Sequence, residues 1–204
     1  MIDYRQNRVI KHRQTGAKKF ILGGKDQQTN VLSFWQWAHS DLMGNTLRGI
    51  LAEYIVAVAL GADQGVREEW DAFDITTPEC LKIEVKSSAY LQSWDQKQPS
   101  RIIFDIEPKQ AWQSNNTRGE AKRHADIYVF CLFAHQKRET ANPLNLDQWE
   151  FYIAPSHDLD VKLGLQKKIS LGALKKFCGN AISYGHLAES IAIHSPILQN
   201  GKSG

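Results

Sequence analysis

The chain has 204 residues, a length that suits one domain and excludes a large multidomain assembly. Hydrophobic residues make up 42%, charged residues make up 23% and the net charge is +3, so collagen, coiled coil and wholesale disorder are excluded. No apolar run approaches the roughly 18 residues of a membrane span, and the N-terminus has no apolar signal segment. The three cysteines are far apart in sequence and predict neither a disulfide framework nor a zinc pair. We therefore expect a cytoplasmic protein.

Positive charge is concentrated in three stretches of the chain. Residues 1–25 hold seven Lys or Arg and one acid, a net charge of +6. Residues 161–180 hold five lysines, among them Lys167 and Lys168, and residues 108–124 hold four Lys or Arg against one acid. Such clusters neutralise phosphates in nucleic-acid-binding proteins. The alternative is that they are solvated faces or a frayed arm.

Two helices are predicted before the first strand. Asn30 is a candidate N-cap for a short helix that runs to His39, and a second helix over residues 47–60 ends at Gly61. Glu53 lies at the margin of the apolar stripe of the second helix and so is not on its freely solvated side. The stripe follows the spacing of a core-facing helix and consists of Leu47, Ile50, Leu51, Tyr54, Ile55 and Val58.

From residue 71 the hydrophobic period changes from that of a helix to that of a strand. Strands are predicted over residues 72–76, 81–87, 101–107, 125–133 and 149–154, with a turn at 77–79, a weak helix over 108–121 and later helical segments over 171–177 and 182–191. The strand over 125–133 is almost continuously apolar, which is typical of a central strand covered on both faces. This order of helices and strands along the chain predicts an α/β fold, with a central mixed sheet flanked by helices.

We place no domain boundary, because Pro, Gly and Ser are not concentrated at any internal stretch. The expected organisation is a single domain over residues 1–204. A basic arm over 1–29 precedes a core over about 30–155, and a helical extension over 156–204 follows it.

Strand parity brings charged side chains together. On the first strand Asp74 alternates with core-facing residues, and on the second strand Lys82, Glu84 and Lys86 do the same, so all four are expected to point away from the core. A hairpin turn at Pro78 would bring these polar faces within a few ångström of each other. Two carboxylates that close repel unless a cation lies between them, and Mg²⁺ suits oxygen ligands. The alternative is a solvent-facing hairpin with ordinary cross-strand pairs.

The spacing of these residues carries a family resemblance. Asp74, nine intervening residues and then Glu84-Val85-Lys86 resemble the signature of the PD-(D/E)xK nuclease superfamily, which has a restriction-endonuclease-like fold. The sequence IEVKSSAY at residues 83–90 and the predicted αβββαβ core are similar to those of the superfamily. Glu53 resembles the additional acidic residue that many members carry on the helix before the first strand. The resemblance covers about residues 47–133, and it departs from many members in having no proline before Asp74.

The resemblance implies Mg²⁺-dependent hydrolysis of phosphodiester bonds in DNA, with Mn²⁺ as a substitute, by a restriction-type, repair or mobile-element endonuclease. In that hypothesis Asp74 and Glu84 bind the metal, the Val85 carbonyl adds a ligand and Lys86 orients the water. Glu53 contacts a metal through water or positions a second ion. Cutting both strands usually calls for two active sites, which a homodimer would supply.

Two alternatives to catalysis stay open at this point. The first is a non-catalytic nucleic-acid-binding module on the same fold, and the second is an interaction protein whose charge pairs are structural. Glu53 has its own alternative as a helix-surface acid paired with Arg48 or Arg67.

Polar and aromatic side chains follow the second strand where it leaves the predicted site. These residues are Ser87, Ser88, Tyr90, Gln92 and Trp94. We expect them either to contact phosphates and bases of a nucleic acid or simply to pack a loop.

Overall fold

The computed structural model describes residues 11–69, 71–112 and 118–195. The described chain divides into two compact units, one formed by residues 11–40 and 64–67 and the other by the rest. The first ten residues of the predicted basic arm lie outside the described residues, as do residues 113–117 of the helix predicted over 108–121.

The smaller unit contains a β-hairpin followed by a helix. The antiparallel strands β1 (Lys19–Leu22) and β2 (Lys25–Asn30) are joined by Gly23 and Gly24. Both glycines have positive φ, 56° and 73°, which a two-residue turn of this kind requires. Helix α1 (Val31–His39) begins as predicted, because the Asn30 side chain accepts a hydrogen bond from the N–H of Ser33 in a capping box.

The larger unit is built on a four-stranded mixed sheet. Its elements in chain order are α2 (Asn45–Ala59), β3 (Ile75–Thr76), β4 (Lys82–Ala89), β5 (Ile103–Asp105), β6 (Lys109–Trp112), β7 (Arg118–Lys122), β8 (Ile127–Phe133), β9 (Trp149–Pro155), α3 (Ser156–Leu163), β10 (Lys168–Ser170), α4 (Leu171–Cys178) and α5 (Leu187–His194). The strand order is β3-β4-β8-β9, with β4 and β8 parallel and the two outer pairs antiparallel.

Both faces of this sheet are covered, as the predicted α/β fold requires. On one face α2 and α5 contribute Ala52, Val56 and Leu187 to a core with alternate residues of β4, β8 and β9. On the other face Leu159 of α3 and Leu174 of α4 pack in a second core. All seven residues of β8 are buried, so the prediction of a central strand is confirmed.

The face that α2 buries differs from the predicted stripe. The helix buries Ala52, Ile55 and Val56 completely or nearly so, whereas Tyr54 and Val58 are exposed. Small alanine side chains let a helix approach a sheet closely, and a stripe based on large apolar residues misses them.

Two predicted elements take other forms. The strand expected over 101–107 has the predicted alternation, with Ile102, Phe104 and Ile106 buried, but it pairs with β10 and does not join the central sheet. The weak helix expected over 108–121 is wrong, because β6 and β7 form an antiparallel hairpin there.

Among the helices of the described residues, none combines the length and the apolar character that crossing a bilayer requires.

Candidate active site

Asp74 directly precedes β3 and lies beside β4, the strand that carries Glu84. The Ile75–Ile83 pairing fixes the register, and the N–H of Asp74 donates a 3.0 Å hydrogen bond to the Ile83 carbonyl. The first strand is shorter than predicted, since β3 comprises only Ile75–Thr76. A tight turn follows it, in which the N–H of Thr77 donates to the carbonyl of Leu81 at 2.9 Å. The turn predicted at 77–79 therefore joins the two strands and leaves Asp74 next to β4.

The Asp74 carboxylate is held by the second strand itself. Its Oδ2 accepts a 2.7 Å hydrogen bond from the backbone N–H of Val85. In a strand the N–H and C=O of one residue point to the same edge, so the Val85 carbonyl points to the edge where Asp74 lies. The structure thus places both predicted contributions, the Asp74 carboxylate and the Val85 carbonyl, at this edge of β4.

Glu84 is buried and carries two ammonium partners. Its Oε1 accepts from Lys86 Nζ at 2.6 Å and from Lys109 Nζ at 2.7 Å. The exposed fraction of the side chain is 3% for Glu84, 15% for Lys86 and 53% for Lys109. The alternative of a solvent-facing hairpin does not hold at Glu84, because the second core covers that face of the sheet.

Burial raises the pKa of Asp74 from 3.8 to about 6. The negative charge of Glu84 is the next contribution to this raised pKa, and Glu53 adds a smaller one. The Val85 N–H and the Lys86 ammonium act on the pKa in the opposite direction without cancelling the increase. Negative charge is therefore concentrated at Asp74, and a bound divalent cation would relieve it.

Glu53 is partly buried on α2 and reaches the site through its charge. It contributes to the raised pKa of Asp74 and, after burial and Asp74, to that of Cys131 on β8. Among residues 11–69, 71–112 and 118–195, however, no three His, Cys, Asp or Glu side chains are grouped so as to hold a metal ion. Glu53, Asp74 and Glu84 therefore do not form a three-acid metal site among the described residues.

Arg48, one of the partners considered for Glu53, is directed elsewhere. It is buried, its Nη1 donates to the Met43 carbonyl at 2.7 Å, and both Nη atoms lie 3.4 Å from Gln92 Oε1. Gln92 is itself buried and donates to the Ala89 carbonyl at 3.0 Å and to Ser100 Oγ at 3.2 Å. Gln92 therefore packs the loop after β4, which was the alternative to a nucleic-acid contact.

The other polar and aromatic residues predicted to follow the site are less deeply buried than Gln92. Ser87 and Ser88 are partly buried on β4, and Ser87 Oγ is buried without a hydrogen-bond partner. Tyr90 lines an open cavity of about 370 Å³ together with Arg101. The exposed Trp94 lies in the same loop, where its carbonyl accepts from Arg138 at 3.2 Å.

Two lysines of the 161–180 stretch lie on the exposed surface. Lys167 forms a 2.6 Å ion pair with Glu107, and Lys168 is the first residue of β10, opposite Asp105. Neither is among the groups that contact Glu84 or Asp74 in the hydrogen bonds and ion pairs described above.

Lys109 is the site residue that sequence reasoning missed. Its position falls in the basic stretch 108–124, which was recognised, but the helix predicted there would not have aimed one lysine at Glu84. The hairpin of β6 and β7 does so. Periodicity reports which face a residue occupies and does not report which distant strand it meets.

Carboxylates such as Asp74 and Glu84 are the type of group that binds a hard cation, and ammonium groups such as Lys86 and Lys109 are the type that positions a water or a phosphate. The family described as bacteriophage T4 endonuclease IV matches residues 5–162, a stretch that includes all four of these groups. Among curated proteins no match to the chain was found. The family match supports a nuclease and does not specify the PD-(D/E)xK superfamily. Since it covers well over half of the 204 residues, the chain belongs to the bacteriophage T4 endonuclease IV family.

Proposed function

We propose that the chain is a Mg²⁺-dependent endonuclease that hydrolyses phosphodiester bonds in DNA. The observation that carries the proposal is the Asp74 carboxylate bound to the Val85 N–H, beside the ion pair of Glu84 and Lys86, in a chain of an endonuclease family. DNA as substrate follows from the family description and agrees with the net charge of +6 over residues 1–25.

The chemistry of the donors fits a hard divalent cation. Asp74 and Glu84 offer carboxylate oxygens, the type of ligand that Mg²⁺ prefers. Burial, and then the charge of Glu84, raise the pKa of Asp74, and a bound cation would oppose this increase. These two residues would hold the ion, and the Val85 carbonyl at the same edge would add a neutral oxygen.

Each protein group then has a role in the hydrolysis. When bound, the cation polarises the phosphate and lowers the pKa of the attacking water. Lys86, held 2.6 Å from Glu84 and mostly buried, orients that water and supports its deprotonation by charge. Glu53 acts through the negative charge that it adds near Asp74.

A cleavage assay tests this function. Purified protein is incubated with plasmid DNA and with oligonucleotides in Mg²⁺, in Mn²⁺ and in EDTA, and the products are separated by electrophoresis. We expect cleavage with either metal and none in EDTA, with activity restored when Mg²⁺ is added in excess.

The second candidate is a nucleic-acid-binding module that does not cleave. It is favoured by the two ammonium groups already bound to Glu84 Oε1, which neutralise a predicted metal ligand. DNA affinity without cleavage in any divalent metal would establish this candidate in place of the endonuclease. Loss of DNA affinity at low salt would exclude both candidates.

A further inference from the structure

Lys109 reaches Glu84 from outside the central sheet. It is the first residue of β6, whose hairpin with β7 forms a separate two-stranded sheet. Its Nζ lies 2.7 Å from Glu84 Oε1, although the two residues are 25 positions apart in the chain. The contact between Lys109 and Glu84 therefore depends on how the two sheets pack together and not on the local structure of β6.

The backbone on both sides of Lys109 is anchored. The carbonyl of Lys109 lies 3.0 Å from His124 Nε2. Three residues earlier, the Ile106 carbonyl accepts from the buried guanidinium of Arg123, at 3.1 Å from Nε and 2.9 Å from Nη2. Arg123 also bonds Asp160 and the Gly164 carbonyl, so the base of the hairpin is fixed to the region of α3. The Lys109 backbone is therefore held while its side chain keeps several rotatable bonds.

Glu84 keeps an ammonium partner when Lys109 turns away. The mostly buried Lys86 lies 2.6 Å from the same oxygen. Lys109 is the more exposed of the two lysines, with 53% of its side chain exposed against 15% for Lys86. A long, exposed ammonium beside a buried carboxylate can turn outward at little cost.

We propose that Lys109 is a substrate-binding residue whose ammonium leaves Glu84 and contacts a non-bridging phosphate oxygen of the bound DNA. The inference rests on the proposed function, because it takes the Asp74–Glu84 pair as the place where the phosphodiester reacts. A phosphate at that place carries negative charge near Glu84, and Lys109 is an exposed ammonium bound to Glu84. Lys86 stays with Glu84 and the water.

Binding measurements without divalent metal test this inference independently of cleavage. The dissociation constant of a fluorescein-labelled oligonucleotide, as a single strand and as a duplex, is measured in EDTA at several salt concentrations. The proteins are the wild type, Lys109→Ala and the matched control Lys122→Ala. Lys122 pairs with Lys109 across the hairpin, is exposed, and has no hydrogen bond to Glu84 among those described.

We expect Lys109→Ala to weaken binding roughly five- to tenfold and to reduce the slope of log affinity against log salt by about one, as the loss of a single phosphate contact does. Lys122→Ala is expected to change affinity less than about twofold. Equal effects of the two substitutions, or no effect of Lys109→Ala, would overturn the inference. Circular dichroism and thermal melting confirm that both variants are folded.

A Mn²⁺ titration in the absence of DNA provides a second readout. Removing a competing ammonium from Glu84 should make Lys109→Ala bind Mn²⁺ at least as tightly as the wild type does. Weaker Mn²⁺ binding would mean that Lys109 holds Glu84 in place, and it would contradict a substrate-binding role.

The two proposals fail in different ways. If the wild type cleaves DNA and Lys109→Ala binds DNA like Lys122→Ala, only the role of Lys109 is lost. If the wild type cleaves no DNA in any divalent metal, the endonuclease proposal is lost, and with it the role of Lys109 at a reaction centre.

Discussion

The Asp74 carboxylate accepts a 2.7 Å hydrogen bond from the backbone N–H of Val85. Strand β3 has only two residues. At this part of the edge of β4 the hydrogen bond is therefore made by the Asp74 side chain, where a longer strand would use its backbone. Val85 stands between Glu84 and Lys86 in sequence, so the bond ties Asp74 to the strand that carries the other two groups. One side-chain bond thus assembles residues from two strands.

The raised pKa of Asp74 predicts how stability depends on pH. Burial, and then the charge of Glu84, raise this pKa to about 6 from an unfolded value of 3.8. The folded state therefore binds more protons between these values, so stability without metal should fall as pH rises from about 4 to about 6. Above about pH 6 the Asp74 carboxyl is ionised, and the full cost of placing its charge in the folded protein lowers the free energy of unfolding.

Asp74→Asn should remove the free-energy cost of the ionised Asp74 carboxylate in the folded protein. Asparagine keeps an oxygen that accepts from the Val85 N–H but carries no charge, so we expect a gain of about 1–3 kcal/mol at pH 7 in EDTA. Urea denaturation from pH 4 to pH 8 measures the effect. The same pH slope in the variant and the wild type would contradict the assignment.

Mg²⁺ should stabilise the wild-type protein through Asp74. A ligand that binds only the folded state adds about 2.7 kcal/mol at a concentration one hundred times its dissociation constant. Thermal melting with and without Mg²⁺ measures this gain. We expect Asp74→Asn to lose most of the gain, whereas the surface control Asp158→Asn keeps it. An equal gain in all three proteins would place the metal elsewhere.

Lys86→Ala should reduce catalysis more than substrate binding. If Lys86 orients the attacking water, kcat should fall about 10²- to 10⁴-fold while the dissociation constant for DNA changes little. Single-turnover cleavage and fluorescence anisotropy separate the two quantities. Lys162→Ala is the matched control, since its ion pair with Asp158 is exposed and 3.8 Å long. A Lys86→Ala protein with unchanged kcat would remove this residue from the mechanism.

Gln92→Ala should destabilise the fold. The Gln92 side chain donates to the Ala89 carbonyl and to Ser100 Oγ, and its loss leaves these buried groups and Arg48 with one partner fewer each. We expect a loss of about 1–3 kcal/mol in the free energy of unfolding, measured by urea denaturation. Gln98→Ala, at an exposed position of the same loop, should change stability by less than about 0.5 kcal/mol.

The sequence allowed the central elements to be predicted. The turn at Pro78 joins two antiparallel strands as expected, and the apolar run of β8 identified the central strand. These features depend on local pattern. The roles of Asp74 and Glu84 stay predictions. The burial of Glu84 could not be predicted, because it depends on which elements cover the second face of the sheet.

Pairing between distant segments could not be predicted from local pattern. The partner of β5 is β10, more than sixty residues later, and the partner of Glu84 on the second hairpin is Lys109. Both contacts follow from how the elements pack, which periodicity does not encode. The expected homodimer stays a prediction.

The most direct test of the central claim is the rate of DNA cleavage by Glu84→Gln in saturating Mg²⁺. Glutamine has nearly the same shape as glutamate and removes only the negative charge that would bind the metal. We expect cleavage to fall at least about 100-fold in a protein that still melts cooperatively, while Asp158→Asn cleaves like the wild type. Cleavage at the wild-type rate by folded Glu84→Gln would contradict the account.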